Sequence, residues 1–150
     1  LASYPEFLMT NTQASDSREQ LFPVGAIETM VEEFYGRIRN DDVLGPIFER
    51  RIDTWPDHLA RMVRFWRAVL RSERTYSPSP RGAPPALHRR ITELRKHHFQ
   101  RWLRLFGEVV DEVYEPEARP HVKEAAERIA ASLSRHIEAD DSPGATCPHA

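Results

Sequence analysis

The chain has 150 residues and a mass of 17.4 kDa, the size of one domain, and a chain that long can bury roughly 68–70% of its unfolded surface. At 40% hydrophobic and 29% charged, with a mean hydropathy of −0.60, it is too apolar for a disordered chain, and its one cysteine, Cys147, excludes a disulfide scaffold. The net charge of −2 hides a segregation: residues 61–104 carry 12 bases and 2 acids, residues 1–60 carry 11 acids and 5 bases, and residues 105–150 carry 10 acids and 4 bases.

No apolar run exceeds three residues, where a membrane span needs about 18, and no signal-peptide core precedes the charged segments. The expectation is a cytoplasmic protein with no membrane partner. Only 6 glycines disfavour phosphate-cradling loops and tightly turned β folds, while 12 prolines should mark boundaries. The basic middle third would suit nucleic acid, a small anion or a solvated helix face. Its aromatics fall on the opposite helical face from its arginines, so no nucleic-acid platform is expected.

Residues 1–23 show no sustained period and read as a flexible N-terminal segment. Met9 looks like a start, and Glu6-Phe7 is the kind of dipeptide a cloning site leaves, so residues 1–8 are expected to be vector-derived. From residue 24 the pattern is clear. Ile27, Met30, Val31, Phe34, Tyr35 and Ile38 recur at i, i+3, i+4, i+7, i+8 and i+11, the stripe of an amphipathic helix. A turn at Asn40-Asp41-Asp42 leads to VLGPIF, where Gly45-Pro46 is expected to break the helix and set Ile47 and Phe48 on an apolar corner.

A second helix starts near Trp55-Pro56 with Asp53 or Thr54 as its cap, and its stripe is Leu59, Met62, Val63, Trp66, Val69 and Leu70. The segment from Ser72 to Pro85, with prolines at 78, 80, 84 and 85, reads as an irregular loop. Helical spacing resumes with Phe99, Trp102, Leu103, Phe106, Val109, Val110 and Val113, and stops at Glu115-Pro116. The last stripe is Val122, Ala125, Ala126, Ile129, Ala130, Leu133 and Ile137, so the folded domain spans 24–138 and residues 139–150 form a polar tail. Four amphipathic helices without alternating strands predict an all-α domain.

Seven histidines are the obvious place for metal or acid–base chemistry. No HExxH, Cys/His quartet or CxxCH is present, which leaves zinc and covalently attached haem without support. His97, His98, His121, His136 and His149 read as solvated or surface-packed. His58 lies four residues before Met62, at the edge of its helix's apolar stripe, and His88 follows the proline-rich loop, where a turn could aim its ring inward. Tyr35 and Trp102 fall on the inner faces of two helices. Each has a plain reading as a core aromatic. Together with two inward histidines they would instead line a pocket for a small, partly negative ligand.

The blocks FYGRIRNDDVLGPIF and WPDHLARMVRFW, a histidine after a loop, and HHFQRWLRLF closely resemble the truncated haemoglobins of the third, P-type group, over about residues 24 to 136. That resemblance implies a 2-over-2 helical sandwich, in which the globin B/E and G/H helix pairs enclose haem b (iron protoporphyrin IX) and the F segment is reduced to a loop and short turn. It implies His88 as the proximal iron ligand, Tyr35 and Trp102 as distal donors, and His58 as the distal gate. Phe48, Met62, Phe65, Trp66 and Leu87 would line the haem, and Arg61 would meet a propionate. The loop TYSPSPRGAPPAL is longer and richer in proline than the family pattern, and RRITELRK lacks its leucine-proline segment.

The implied function is tight binding of O2, NO, CO or similar small ligands, for redox or NO/O2 chemistry rather than O2 delivery. Enzymatic turnover as an NO dioxygenase would need an unidentified reductase. Two alternatives stand beside it: a peroxidase-like haem enzyme with His58 as acid–base group, and a haem-free helical interaction module.

Overall fold

The computed structural model describes residues 17–73 and 94–140, with side chains as far as Arg135. Among them are five long or medium helices: α1 (Val24–Asn40), α2 (Leu44–Arg51), α3 (Trp55–Arg71), α4 (Lys96–Val113) and α5 (Arg119–Asp140). No strand occurs among the described residues. Helix α1 is the hub, packing against α2, α3 and α4, while α5 lies along α4 and touches α3. The α1/α3 and α4/α5 pairs are the two layers of an all-α, 2-over-2 sandwich.

All six residues of the α1 stripe are buried, because their spacing puts them on one face against both layers. Phe34 and Phe106 meet edge to face at 5.2 Å in the centre, both at most 2% exposed. Each contributes about 1.5–3 kcal/mol through the apolar area it removes from water. Arg37 and Arg39 occupy the last turn of α1, where positive charge suits the helix dipole, and Arg37 pairs with Glu108 and Glu112 on α4.

Helix α2 corrects the expected corner. Pro46 falls in the first turn of a helix, where its missing N–H is no loss, so Gly45-Pro46 starts a helix rather than breaking one. Gly45 is required there by contact: a Cβ would sit 2.8 Å from the Arg39 carbonyl oxygen and 3.1 Å from that of Ile38. The Asp41 carboxylate accepts from the Val43 and Leu44 N–H groups at 3.1 and 2.9 Å, satisfying two donors at the start of α2.

Helix α3 begins as expected, with Thr54 in the cap position and Pro56 in the first turn. The Thr54 hydroxyl, however, donates to Asp57 at 2.8 Å instead of accepting from the backbone. Of the expected stripe only Trp66 and Leu70 are buried. Leu59, Met62 and Val63 are half-buried and Val69 is 37% exposed. Helix α3 packs against α1 and touches α5, and most of its apolar face is only partly covered. Ser72 ends it in a left-handed conformation at φ 59°, and Glu73 then binds Arg67 and Arg71 at 2.6 and 3.0 Å.

Structure also begins earlier than expected. Residues 17–21 form a helical turn, and Phe22, 6% exposed, joins the core while its carbonyl accepts from Arg71 at 2.8 Å. At the other end α5 continues to Asp140, two residues past the expected limit of 138. Val122, Ala125, Ala126 and Ala130 form its buried face, and their small size lets it approach α4 closely.

Candidate functional site

Tyr35 emerges from the inner face of α1 near its C-terminal end and is 6% exposed. Burial pushes its phenol well above the ordinary range, so it stays an O–H donor at any working pH. Beside Phe34 of its own helix, three rings from α2 and α3 surround it. Phe48 from α2 lies edge-on at 6.0 Å, His58 from α3 lies edge-on at 4.9 Å, and Trp55 lies tilted at 6.0 Å. The turn at 41–43 brings α2 back over α1, and the start of α3 then carries Trp55 and His58, one turn apart, onto Tyr35.

Trp102 reaches the same region from α4. Its ring is edge-on to Phe34 at 5.3 Å, and Phe34 is edge-on to Tyr35 at 5.0 Å. Behind it Phe106 is stacked between Trp102 and Trp66, at 5.3 and 5.0 Å. Trp66, 3% exposed, therefore belongs to the core behind the cluster rather than to the ring around Tyr35. Met62 and Phe65 are partly buried against that core. Arg61 is half-exposed and has no carboxylate partner among the described residues. His88 and Leu87 lie outside the described residues. His98 accepts from the Arg95 N–H at 2.8 Å as a capping group, and His121 packs edge-on to Phe22 at 6.3 Å.

Two features of this site are absent from the sequence reading. Trp55 joins the cluster, and its position three residues before His58 on one helix was the available signal. Asp41 is the other. Arg101 grips it from α4, drawing its carboxyl down to about 2, chiefly through that hydrogen-bonded pair. Nothing local in the sequence links residues 60 positions apart.

The residues present fit a haem. Among the described residues no group of three His, Cys, Asp or Glu is placed to hold a metal ion, so a bare metal cage has no basis there. An iron already held by a macrocycle needs as little as one protein ligand. The flank of α3 offers partly covered apolar side chains, and the cluster beside it carries phenol and indole donors. One of these, Trp55 Nε1, is buried without a hydrogen-bond partner among the described residues. Two surface grooves lie elsewhere: one of about 280 Å3 between α4 and α5, and one of about 540 Å3 beside residues 17–26 and 113–118.

Two helix pairs, α1/α3 and α4/α5, with α2 folded onto α1 and the Tyr35–His58 contact linked to Trp102 through Phe34, define a globin-type helical sandwich. The family described as bacterial-like globin matches residues 23–136, and the chain belongs to it. It is 33% identical over 116 residues to the group 3 truncated hemoglobin ctb of Campylobacter jejuni, covering 75% of this chain and 88% of that one. The crystal structure of a group III truncated hemoglobin from Campylobacter jejuni superposes with a TM-score of 0.71 at 30% identity, covering 77% of this chain and 91% of that one. Membership makes this chain a haem globin of the kind that binds small gas ligands. No helix among the described residues is long and apolar enough to cross a membrane.

Proposed function

We propose that the unit spanning 24–138 binds haem b and holds O2, NO or CO tightly, for redox or NO/O2 chemistry rather than for O2 delivery. The observation that carries this reading is the Tyr35–His58 ring contact, to which Trp102 is linked from a third helix through Phe34. Haem, when bound, would supply an iron that binds small gases and can exchange electrons with them.

The chain's own groups do the rest. His88 would be the residue that holds the iron, and Leu87 would line the haem beside it. Phe48, Met62, Phe65 and Trp66 pack against the ring or its surroundings and exclude water, and Arg61, free of any described carboxylate, meets a propionate. The Tyr35 O–H and the Trp102 N–H donate to a partly negative ligand atom. In a dry pocket hydrogen bonds to charge are worth about 1.5–3 kcal/mol each. His58, edge-on to Tyr35, stands where it can admit or retain the ligand. Turnover draws electrons from an external reductase, since the globin carries no reductant of its own.

Stopped-flow measurement of oxygen dissociation from the reduced, haem-loaded protein tests this. Tyr35→Phe and Trp102→Phe should each accelerate release about ten- to a hundred-fold, at roughly 1.4 kcal/mol per factor of ten. Release rates equal to wild type in both variants would contradict the donor assignment.

A further inference from the structure

We propose that Trp55 is a further donor of the Tyr35–His58 pocket, its indole N–H reserved for the acceptor atom of a small ligand or water rather than for the folded chain. The proposal rests on the haem-pocket reading of this cluster. Its first support is the unsatisfied Nε1, buried without a hydrogen-bond partner among the described residues. Buried donors in native proteins are met by protein, water or ligand, and an orphan is costly. An indole can donate and cannot accept, so only an acceptor atom satisfies it.

The second support is how firmly the ring is held beside the pocket. Trp55 opens α3 one turn before His58, with ring centroids 6.0 Å from Tyr35 and 5.9 Å from His58. On its outer side the Arg39 guanidinium lies 4.5 Å over the ring, and Arg39 is itself bound by Glu49 at 3.0 Å. A half-buried ring clamped by a surface ion pair on one side and packed against Tyr35 and His58 on the other is held beside the pocket with little orientational freedom left to lose. The acceptor it suits is a partly negative diatomic, a small anion, or one water.

Haem-loaded Trp55→Phe, which keeps an aromatic ring under Arg39 and deletes the N–H, is compared with wild type and with Tyr35→Phe. The readouts are the C–O stretching frequency of added carbon monoxide and the association and dissociation rates of oxygen. Full haem uptake with a raised stretching frequency and about ten-fold faster oxygen dissociation supports a bond to the ligand. Several-fold faster association with unchanged dissociation supports a bond to a water that the ligand displaces. Frequency and both rates unchanged in a fully loaded Trp55→Phe, while Tyr35→Phe moves them, overturns the assignment of Trp55 alone. No movement in either variant overturns the wider donor reading as well. If Trp55→Phe fails to fold, the indole 15N–1H resonance of Trp55 in the wild-type protein should shift when carbon monoxide is added, and a stationary resonance overturns the proposal.

Discussion

The Arg101 guanidinium on α4 grips both carboxylate oxygens of Asp41, with Nε 2.9 and 2.8 Å from Oδ1 and Oδ2 and Nη2 2.7 Å from Oδ1. The same carboxylate caps α2 through the Val43 and Leu44 N–H groups. One side chain, 8% exposed, thus ties the start of the helix bearing Phe48 to the turn of α4 bearing Trp102. Planar, two-pronged pairing of this kind fixes orientation as well as distance.

Asp41→Asn is expected to lower stability at neutral pH by about 1.5–3 kcal/mol, the range for hydrogen bonds to a charged group. Because the folded-state carboxyl is depressed to about 2, its stabilisation is fully present above the unfolded value of about 3.9 and is lost as pH falls through about 2. Denaturant titrations should therefore show wild type and Asp41→Asn converging as pH drops from about 4 to about 2. Curves separated by a constant amount across that window would dissociate the carboxylate from the effect.

At Gly45 the test is steric. A methyl group there meets two carbonyl oxygens of the last turn of α1, at 2.8 and 3.1 Å, neither of which is a flexible side-chain tip. Gly45→Ala should cost about 1–3 kcal/mol by overpacking. At about 2–4 °C per kcal/mol for a chain of this size, a thermal melt reads that directly.

His58 separates gas binding from peroxide chemistry. If it acts only as a gate against Tyr35, at 4.9 Å, His58→Ala should change oxygen association several-fold and leave peroxide consumption unchanged. A ten-fold or greater loss of peroxide turnover in that variant would make the imidazole an acid–base group instead.

How far the sequence could be read follows from what each element depends on. The α1 stripe depends only on helical period, and all six residues named from it are buried. Helix α2 escaped because Gly45-Pro46 signals a break in most contexts, and only Asp41, reaching forward to Val43 and Leu44, turns that dipeptide into a helix start. On α3 period alone could not say how much of the apolar face would be covered. That depends on how the helix leans on α1, and it left Val69 at the surface. Tyr35 was legible as buried from its spacing and is 6% exposed, whereas His58 and Trp102 are half-buried, and their roles around a ligand came from the family resemblance. Trp55 looked like a helix-starting aromatic because its unsatisfied N–H exists only once α2 and α3 are folded over α1. The Asp41–Arg101 grip joins two elements through tertiary packing and has no local trace.

The most direct test of the account is the visible absorption spectrum of purified wild type and His88→Ala after adding haemin, reducing with dithionite and admitting carbon monoxide. Stoichiometric haem uptake with a Soret band that shifts with carbon monoxide in wild type and collapses in His88→Ala is the predicted result. An identical haem spectrum in the two proteins, or no haem uptake by wild type, would contradict it.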